Sequence, residues 1–355
     1  YFLIEAPYGT GFVVQRFFAG INNYALVSLP FFILMGLVMN AGGITQRLLD
    51  LSTFFVGRMK GGLGLVNVVG SMIFGGISGS SASDTASIGS VLIPEMERRG
   101  YPRSFAAGIT VASSTMGMII PPSVPMIIYA IAAEESIGRL FLGGIIPGIM
   151  VGLVQLLIVW RIATMRDYPT EIVPFTFEEA GRQFRRSAAV VIMPVLIVGS
   201  VVFGFVTPTE TAGTAAVYGL IIGFMIVGVT VLRELPGAMR TAIIMSAKIM
   251  MIIAFSQVFI TVLALERVPD KLADFVRDLG LDATTFLLLT ALLILLSGTF
   301  IDVSPAILLL TPVLLPVAHE LDISGVHFGV MMVSGMAIGA CTPPVGHCLN
   351  VCIAI

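Results

Sequence analysis

Four short stretches of small polar residues interrupt an otherwise apolar chain. The first reads Gly75-Gly76-Ile77-Ser78-Gly79-Ser80-Ser81-Ala82-Ser83-Asp84-Thr85. The second is Ser113-Ser114-Thr115-Met116-Gly117, followed by Pro121-Pro122-Ser123. The third is Ser297-Gly298-Thr299-Phe300-Ile301-Asp302-Val303-Ser304-Pro305, and the fourth runs from Ser334-Gly335 to Gly339 and on to Thr342-Pro343-Pro344. A helix broken by Gly, Ser or Pro frees carbonyl oxygens on one side of the break and N–H groups on the other. The carbonyls, with Ser or Thr hydroxyls and a carboxylate, suit a hard cation such as Na⁺; the half-helix N-termini suit an anion. Ser80, Ser81 and Ser83 offer oxygens directly, and Asp84 sits where the next half-helix begins. The plainer reading is that Gly and Ser only let helices pack closely. The same design appearing twice favours a binding site.

Three carboxylates fall at depth or at a break, namely Asp84, Asp302 and Glu210. Intramembrane carboxylates are costly and point to function. Glu210, in Thr207-Pro208-Thr209-Glu210, reads equally as a helix-capping residue or as a mechanistic one. Lys248 reads as a lysine whose stem lies along apolar surface while its head reaches for water. Two enzyme-like signals fail. Gly76-Ile77-Ser78-Gly79 resembles a serine nucleophile motif, but of His319, His327 and His347 only the last falls deep enough to serve as a base. Cys341, Cys348, Cys352 and His347 lack paired metal-ligand spacing and read as buried small residues.

The elements that must position these groups follow from composition. Of 355 residues, 57% are hydrophobic and 11% charged, less than half the usual charged share of about 25%. This describes a polytopic, all-α membrane protein and excludes a soluble enzyme. A net charge of −2 excludes a nucleic-acid binder. Apolar spans fall at about 25–43, 104–130, 139–162, 187–206, 211–232, 241–264 and 327–350. Two longer stretches, about 62–97 and 284–318, are broken in the middle and read as re-entrant hairpins. Arg58, Lys60, Arg98, Arg99 and Arg103 flank the first hairpin, whereas Asp278, Asp282, Glu320 and Asp322 flank the second, and no Lys or Arg follows Arg277. By the positive-inside rule the hairpins open to opposite sides. Residues 164–186 read as a cytoplasmic polar connector, and 44–57 as an amphipathic helix at the membrane surface.

The halves match at one shift of 222 residues (316 minus 94): Pro94, Pro121 and Pro122 land on Pro316, Pro343 and Pro344, and Gly76 and Gly117 on Gly298 and Gly339. With opposed charge flanks, this predicts inverted repeats. The first is 1–163 (hairpin about 62–97, broken helix about 104–130). After the connector, 187–355 holds scaffold helices and the second repeat (hairpin about 284–318, broken helix about 327–350). Such repeats with broken helices are a plan of secondary transporters. The repeat also predicts one further helix beyond residue 355.

GGISGSSASDTASIGSVLIPEMERRGY (75–101), SSTMGMIIPPSVPMIIYA (113–130), GFVTPTETAGTAAVYGLIIG (204–223), FIDVSPAILLLTPVLLP (300–316) and IGACTPPVG (338–346) together resemble the large membrane subunit of tripartite ATP-independent periplasmic (TRAP) transporters. The resemblance implies Na⁺-coupled import of an organic acid anion, such as a C4-dicarboxylate, sialic acid or another sugar acid, across the bacterial inner membrane. It implies an elevator mechanism, a periplasmic substrate-binding protein and a small four-helix membrane subunit. Carried over by motif, Na⁺ would be held by Ser78, Ser80, Ser81 and Asp84 with Ser113, Thr115 and Gly117, and by Asp302 and Ser304 with Gly335 and Gly339. Substrate would sit between the tips near Ser83, Ser114, Ser123, Thr342 and Pro343, with Glu210, Pro121, Pro122 and Pro344 in structural or mechanistic roles. The binding protein would dock on outward loops at 265–283 and 319–326. Two other readings are a carrier or antiporter of the same architecture working without a binding protein, and a channel. Channel filters need equivalent loops around a pore, which two opposed hairpins do not supply.

Overall fold

A computed structural model describes residues 10–170 and 177–355; residues 171–176 of the expected connector lie outside the described residues. Helices α1 (Thr10–Ile21) and α2 (Ser28–Ala41) flank a 3₁₀ turn, Tyr24–Val27, which Asn23 caps by accepting the N–H of Ala25. The amphipathic α3 (Ile44–Val56) precedes a hairpin of α4 (Gly62–Ser78) and α5 (Ser81–Arg98). The broken helix follows as α6 (Arg103–Ser114), α7 (Met116–Ile119) and α8 (Val124–Ala133), bent by 41° at its break. Next come α9 (Ile137–Met165), α10 (Phe177–Val202), α11 (Pro208–Val227) and α12 (Thr230–Leu265). The second set is α13 (Val268–Asp278), the hairpin α14 (Ala283–Phe300) and α15 (Val303–Glu320), then α16 (Gly325–Gly339) and α17 (His347–Ile353). No strand occurs among the described residues. Six helical stretches are long and apolar enough to cross a membrane, seven with the bent pair counted as one.

The shift of 222 residues seen in the sequence carries element boundaries with it. It takes Ser81 and Arg98, the ends of α5, onto Val303 and Glu320, the ends of α15. It takes Val56 onto Asp278, Ser78 onto Phe300 and Arg103 onto Gly325, so α3, α4 and α6 correspond to α13, α14 and α16. The two sets interlock reciprocally: α8 packs on α15, α17 packs on α5, and α16 lies against α7 and α8. Tyr129 in α8 seals one such contact by donating its hydroxyl to the Gly325 carbonyl, 2.7 Å away. Apart from this unit, α12 packs on α1 and α2, and α2 on α11.

Several boundaries differ from the sequence reading. Helix α1 was not expected, because twelve residues interrupted by Arg16 are short for a span. The span placed at 211–232 crosses a helix end: α11 stops at Gly228, where φ is +67°, and α12 begins at Thr230 and runs for 36 residues. The expected loop at 265–283 holds α13, whose apolar side is pressed under α15 while Asp270, Lys271 and Asp274 face out. At the base of the first hairpin, Lys60 pairs with Asp167 at 2.7 Å and the Tyr101 hydroxyl donates to the Pro169 carbonyl at 3.1 Å. The start of the connector is thereby fastened to the hairpin. The Lys60 ammonium also holds the Asp167 carboxyl below its ordinary pKa.

Candidate functional site

The first hairpin turns at Gly79, whose φ of +61° L-residues rarely adopt. Its N–H bonds the Gly75 carbonyl at 3.1 Å and its carbonyl accepts the N–H of Val124 at 3.2 Å, which ties the tip to the broken helix. A Cβ there would lie 2.8 Å from the Pro122 carbonyl oxygen, so a side chain would push the tip off the break. Deeper in, Gly75 and Gly117 bring the backbones together: a Cβ on Gly75 would meet the Gly117 Cα at 2.9 Å. The second copy repeats this approach with Gly298 and Gly339, where a Cβ on Gly339 would lie 2.7 Å from the Gly298 Cα. There Val345 N–H bonds the Thr299 carbonyl at 3.2 Å.

Asp84 projects from the first turn of α5 into this contact and is fully buried. Its Oδ1 accepts the Ser78 hydroxyl at 3.2 Å, while its Oδ2 has no hydrogen-bond partner. The position a Cβ of Gly117 would take lies 3.0 Å from that Oδ2, so glycine is what lets the carboxylate approach the break. The Ser78 hydroxyl also lies 3.3 Å from the Ser80 carbonyl oxygen. A buried carboxylate with an orphaned oxygen is expensive unless a proton or a cation meets it. The surrounding donors are a hydroxyl and backbone carbonyls, and no group of three His, Cys, Asp or Glu that could hold a metal occurs among the described residues. An all-oxygen set with a single carboxylate fits a hard, weakly charged cation and not a transition metal.

The other candidate residues separate into distinct settings. Ser81 is buried, and its hydroxyl accepts the Cys348 thiol at 3.1 Å, a contact between the two repeats. Ser83 is half-buried beside it. Ser113 bonds Asn67 Oδ1 at 3.0 Å and accepts the Ser71 hydroxyl at 2.9 Å, while Asn67 donates to Thr110 at 2.7 Å. All four are buried, forming a polar joint between α4 and α6. Ser114 and Thr115 return their hydroxyls to the carbonyls of Val111 and Ala112. Ser123 caps α8, accepting Met126 N–H at 3.3 Å and donating to the Met118 carbonyl. Pro121 and Pro122 are buried beside it, whereas Thr342, Pro343 and Pro344 are exposed. Gly335 faces Ile294 of α14, within 2.8 Å of where its Cβ would be.

The two acidic tips are not equivalent. The shift that aligns the repeats sets Asp84 opposite Ala306 and Asp302 opposite Ser80. Asp302 is exposed and caps α15, accepting the N–H of Val303 at 2.8 Å, with Ser304 half-buried behind it. Glu210 lies in an exposed capping box: its carboxylate accepts Thr207 N–H at 2.9 Å, and Thr207 Oγ1 accepts Glu210 N–H at 3.3 Å. That arrangement starts α11 and uses the Glu210 carboxylate in doing so. The joint of Asn67, Ser71 and Thr110 was not anticipated. Its signal was a lone Asn inside an apolar run, with Ser one helical turn on and Thr110 and Ser113 at matching spacing.

Two interlocked helical repeats, each with a hairpin tip pressed against a broken helix, and a buried carboxylate at one tip, define a polytopic membrane transport protein. The fold is shared with the Alcanivorax borkumensis YdaH transporter, at a TM-score of 0.66 and 15% identity over 98% of this chain and 81% of that one. The family model described as "Tripartite ATP-independent periplasmic transporter, DctM component" matches residues 2–355. The chain therefore belongs to the DctM family of large TRAP transporter membrane subunits. It is 36% identical over 353 residues to the Pseudomonas aeruginosa C4-dicarboxylate TRAP transporter large permease protein DctM, covering 99% of this chain and 82% of that relative. It is 35% identical over 343 residues to the Vibrio cholerae sialic acid TRAP transporter large permease protein SiaM, covering 97% and 80% respectively.

Proposed function

We propose that this chain imports an organic acid anion across the bacterial inner membrane, driven by Na⁺. A periplasmic binding protein delivers the anion, and a small four-helix membrane subunit accompanies the chain. Relatives named for C4-dicarboxylate and sialic acid support the substrate class. The observation that carries the ion coupling is the unpartnered Asp84 Oδ2, buried at a tip of hydroxyl and carbonyl oxygens against Gly117. A Na⁺ arriving there neutralises the carboxylate and fixes Ser78 and the Ser80 carbonyl, which sets the tip against the break. The N-terminus of α5, where Ser80 makes no side-chain cap, then presents N–H groups to an anionic substrate between the tips, near Ser83, Ser114, Ser123, Thr342 and Pro343. Transport follows when the interlocked unit slides as an elevator against α1, α2, α11 and α12.

The test is uptake into proteoliposomes holding the chain and its small subunit, with labelled acids loaded on the binding protein. Uptake that needs both the Na⁺ gradient and the loaded protein is expected. Uptake indifferent to Na⁺ would remove the ion coupling. Uptake of the free acid at the same rate would make the chain a carrier independent of a binding protein.

A further inference from the structure

Between α12 and α15 runs an open groove of about 540 Å³. Lys248, Ile252, Phe255 and Phe259 line it from α12 in one helical stripe, and Pro305 and Leu309 from α15. Both helices are among those apolar enough to cross a membrane, so the groove lies in the bilayer. From Lys248 to Phe259 the stripe rises eleven steps, about 16 Å at 1.5 Å rise per residue. Lys248 is the one charged residue of this lining, sits at its N-terminal end and is exposed. Among the described residues it makes no ion pair. Arg233 and Arg240, further toward the start of α12, put that end on the cytoplasmic side.

An apolar trough with a single cation at its cytoplasmic mouth suits an amphiphile with a negative head. A small polar acid would leave Phe255, Phe259 and Leu309 against its carboxylates. A neutral lipid would leave the Lys248 ammonium without a counter-charge. Basic pockets between membrane helices on the cytoplasmic side bind anionic lipid headgroups by this combination. We propose that an anionic phospholipid of the inner leaflet occupies this groove, its phosphate on Lys248 and an acyl chain along Phe255, Phe259 and Leu309. The site joins a helix packed on α1 and α2 to the second hairpin, beside the tip that carries Asp302 and Ser304.

The test uses the complex of this chain with its small subunit, in detergent, with phosphatidylglycerol or phosphatidylcholine added and retained lipid counted by native mass spectrometry. Wild type should prefer phosphatidylglycerol. Lys248→Gln should reduce that preference about fivefold, the weight of one basic residue at a membrane surface, and Lys248→Arg should keep it. Leu309→Trp, which fills the groove and leaves the cation, should lower retention of both lipids. Unchanged preference in Lys248→Gln overturns the proposal. So does a photo-crosslinker at position 255 that labels the small subunit instead of lipid, or displacement of the lipid by the transported acid. Lys248 is exposed, so its variants should elute as the wild-type complex and report even where Leu309→Trp does not fold.

Discussion

Taking a carboxylate out of water costs several kcal/mol unless partners replace the water. Asp84 has one hydroxyl on one oxygen and nothing on the other. Asp302, the apparent counterpart at the second tip, is exposed and already engaged with Val303 N–H. The two should respond differently to removal of charge. If Asp84 is a cation ligand, Asp84→Asn should raise the Na⁺ concentration for half-maximal uptake by about 10- to 100-fold, the weight of a charge-assisted contact. Asp302→Asn should shift it by much less. Equal shifts, read from Na⁺ titrations of uptake, would restore the symmetric assignment. The serines around Asp84 were visible in the sequence because Gly and Ser stand out in an apolar chain. The inequality of the carboxylates was also present there, since the repeat sets Asp84 against Ala306, but which one is buried depends on how the tip meets the break. The joint of Asn67 with Thr110 and Ser113 needed two helices to be brought together before it meant anything.

Element by element, the helices are held at the tips by absent side chains. In Gly339→Ala the new methyl would lie 2.7 Å from the Gly298 Cα, a backbone atom that cannot swing away. Overpacking of this kind costs about 1–3 kcal/mol. Gly339→Ala should therefore lower the melting temperature and the uptake rate together. Gly237→Ala, where a Cβ meets nothing within 4 Å, should do neither. At the other end of the second hairpin, Asp282 caps α14 by accepting Thr284 N–H at 3.3 Å and the Thr285 hydroxyl. Those bonds, the Thr285 hydroxyl foremost, lower its pKa. A lowered folded-state pKa means the cap stabilises at neutral pH, and the gain is lost as pH falls from the ordinary Asp range through the depressed value. Faster amide exchange at 283–286 in Asp282→Ala should be seen at pH 7 and disappear in acid; a difference that persists in acid would mean the charge is irrelevant. Apolar runs gave the span positions, whereas α1 escaped by shortness and α13 by its charges, which read as a loop until its apolar side found α15.

For the whole molecule, the reciprocal packing of α8 on α15 and α17 on α5 joins the tips and breaks of the two repeats, and the proposed elevator takes them as one unit moving against α1, α2, α11 and α12. Added Na⁺ should slow hydrogen exchange at 78–84 and at Ile120 and Ser123, and should leave α2 and α11 unchanged. Uniform slowing across all helices, measured by mass spectrometry, would argue against a unit that holds the ion on its own. Composition showed a membrane protein and the proline register showed a duplication. Which helices pack around the tips came only from the structure, because α9 and α12 both read as apolar spans.

The gapless register also limits how this chain can change. Each residue added to a helix turns everything beyond it by about 100° and advances it about 1.5 Å. An insertion in α4 would carry Ser78 and Asp84 away from Gly117, and one in α14 would part Gly298 from Gly339. The two copies differ where Asp84 faces Ala306 and Ser80 faces Asp302 in the register, while α5 and α15 share the same length of 18 residues. Insertions and deletions that persist in relatives are expected in the turns between helices and rare inside the hairpins.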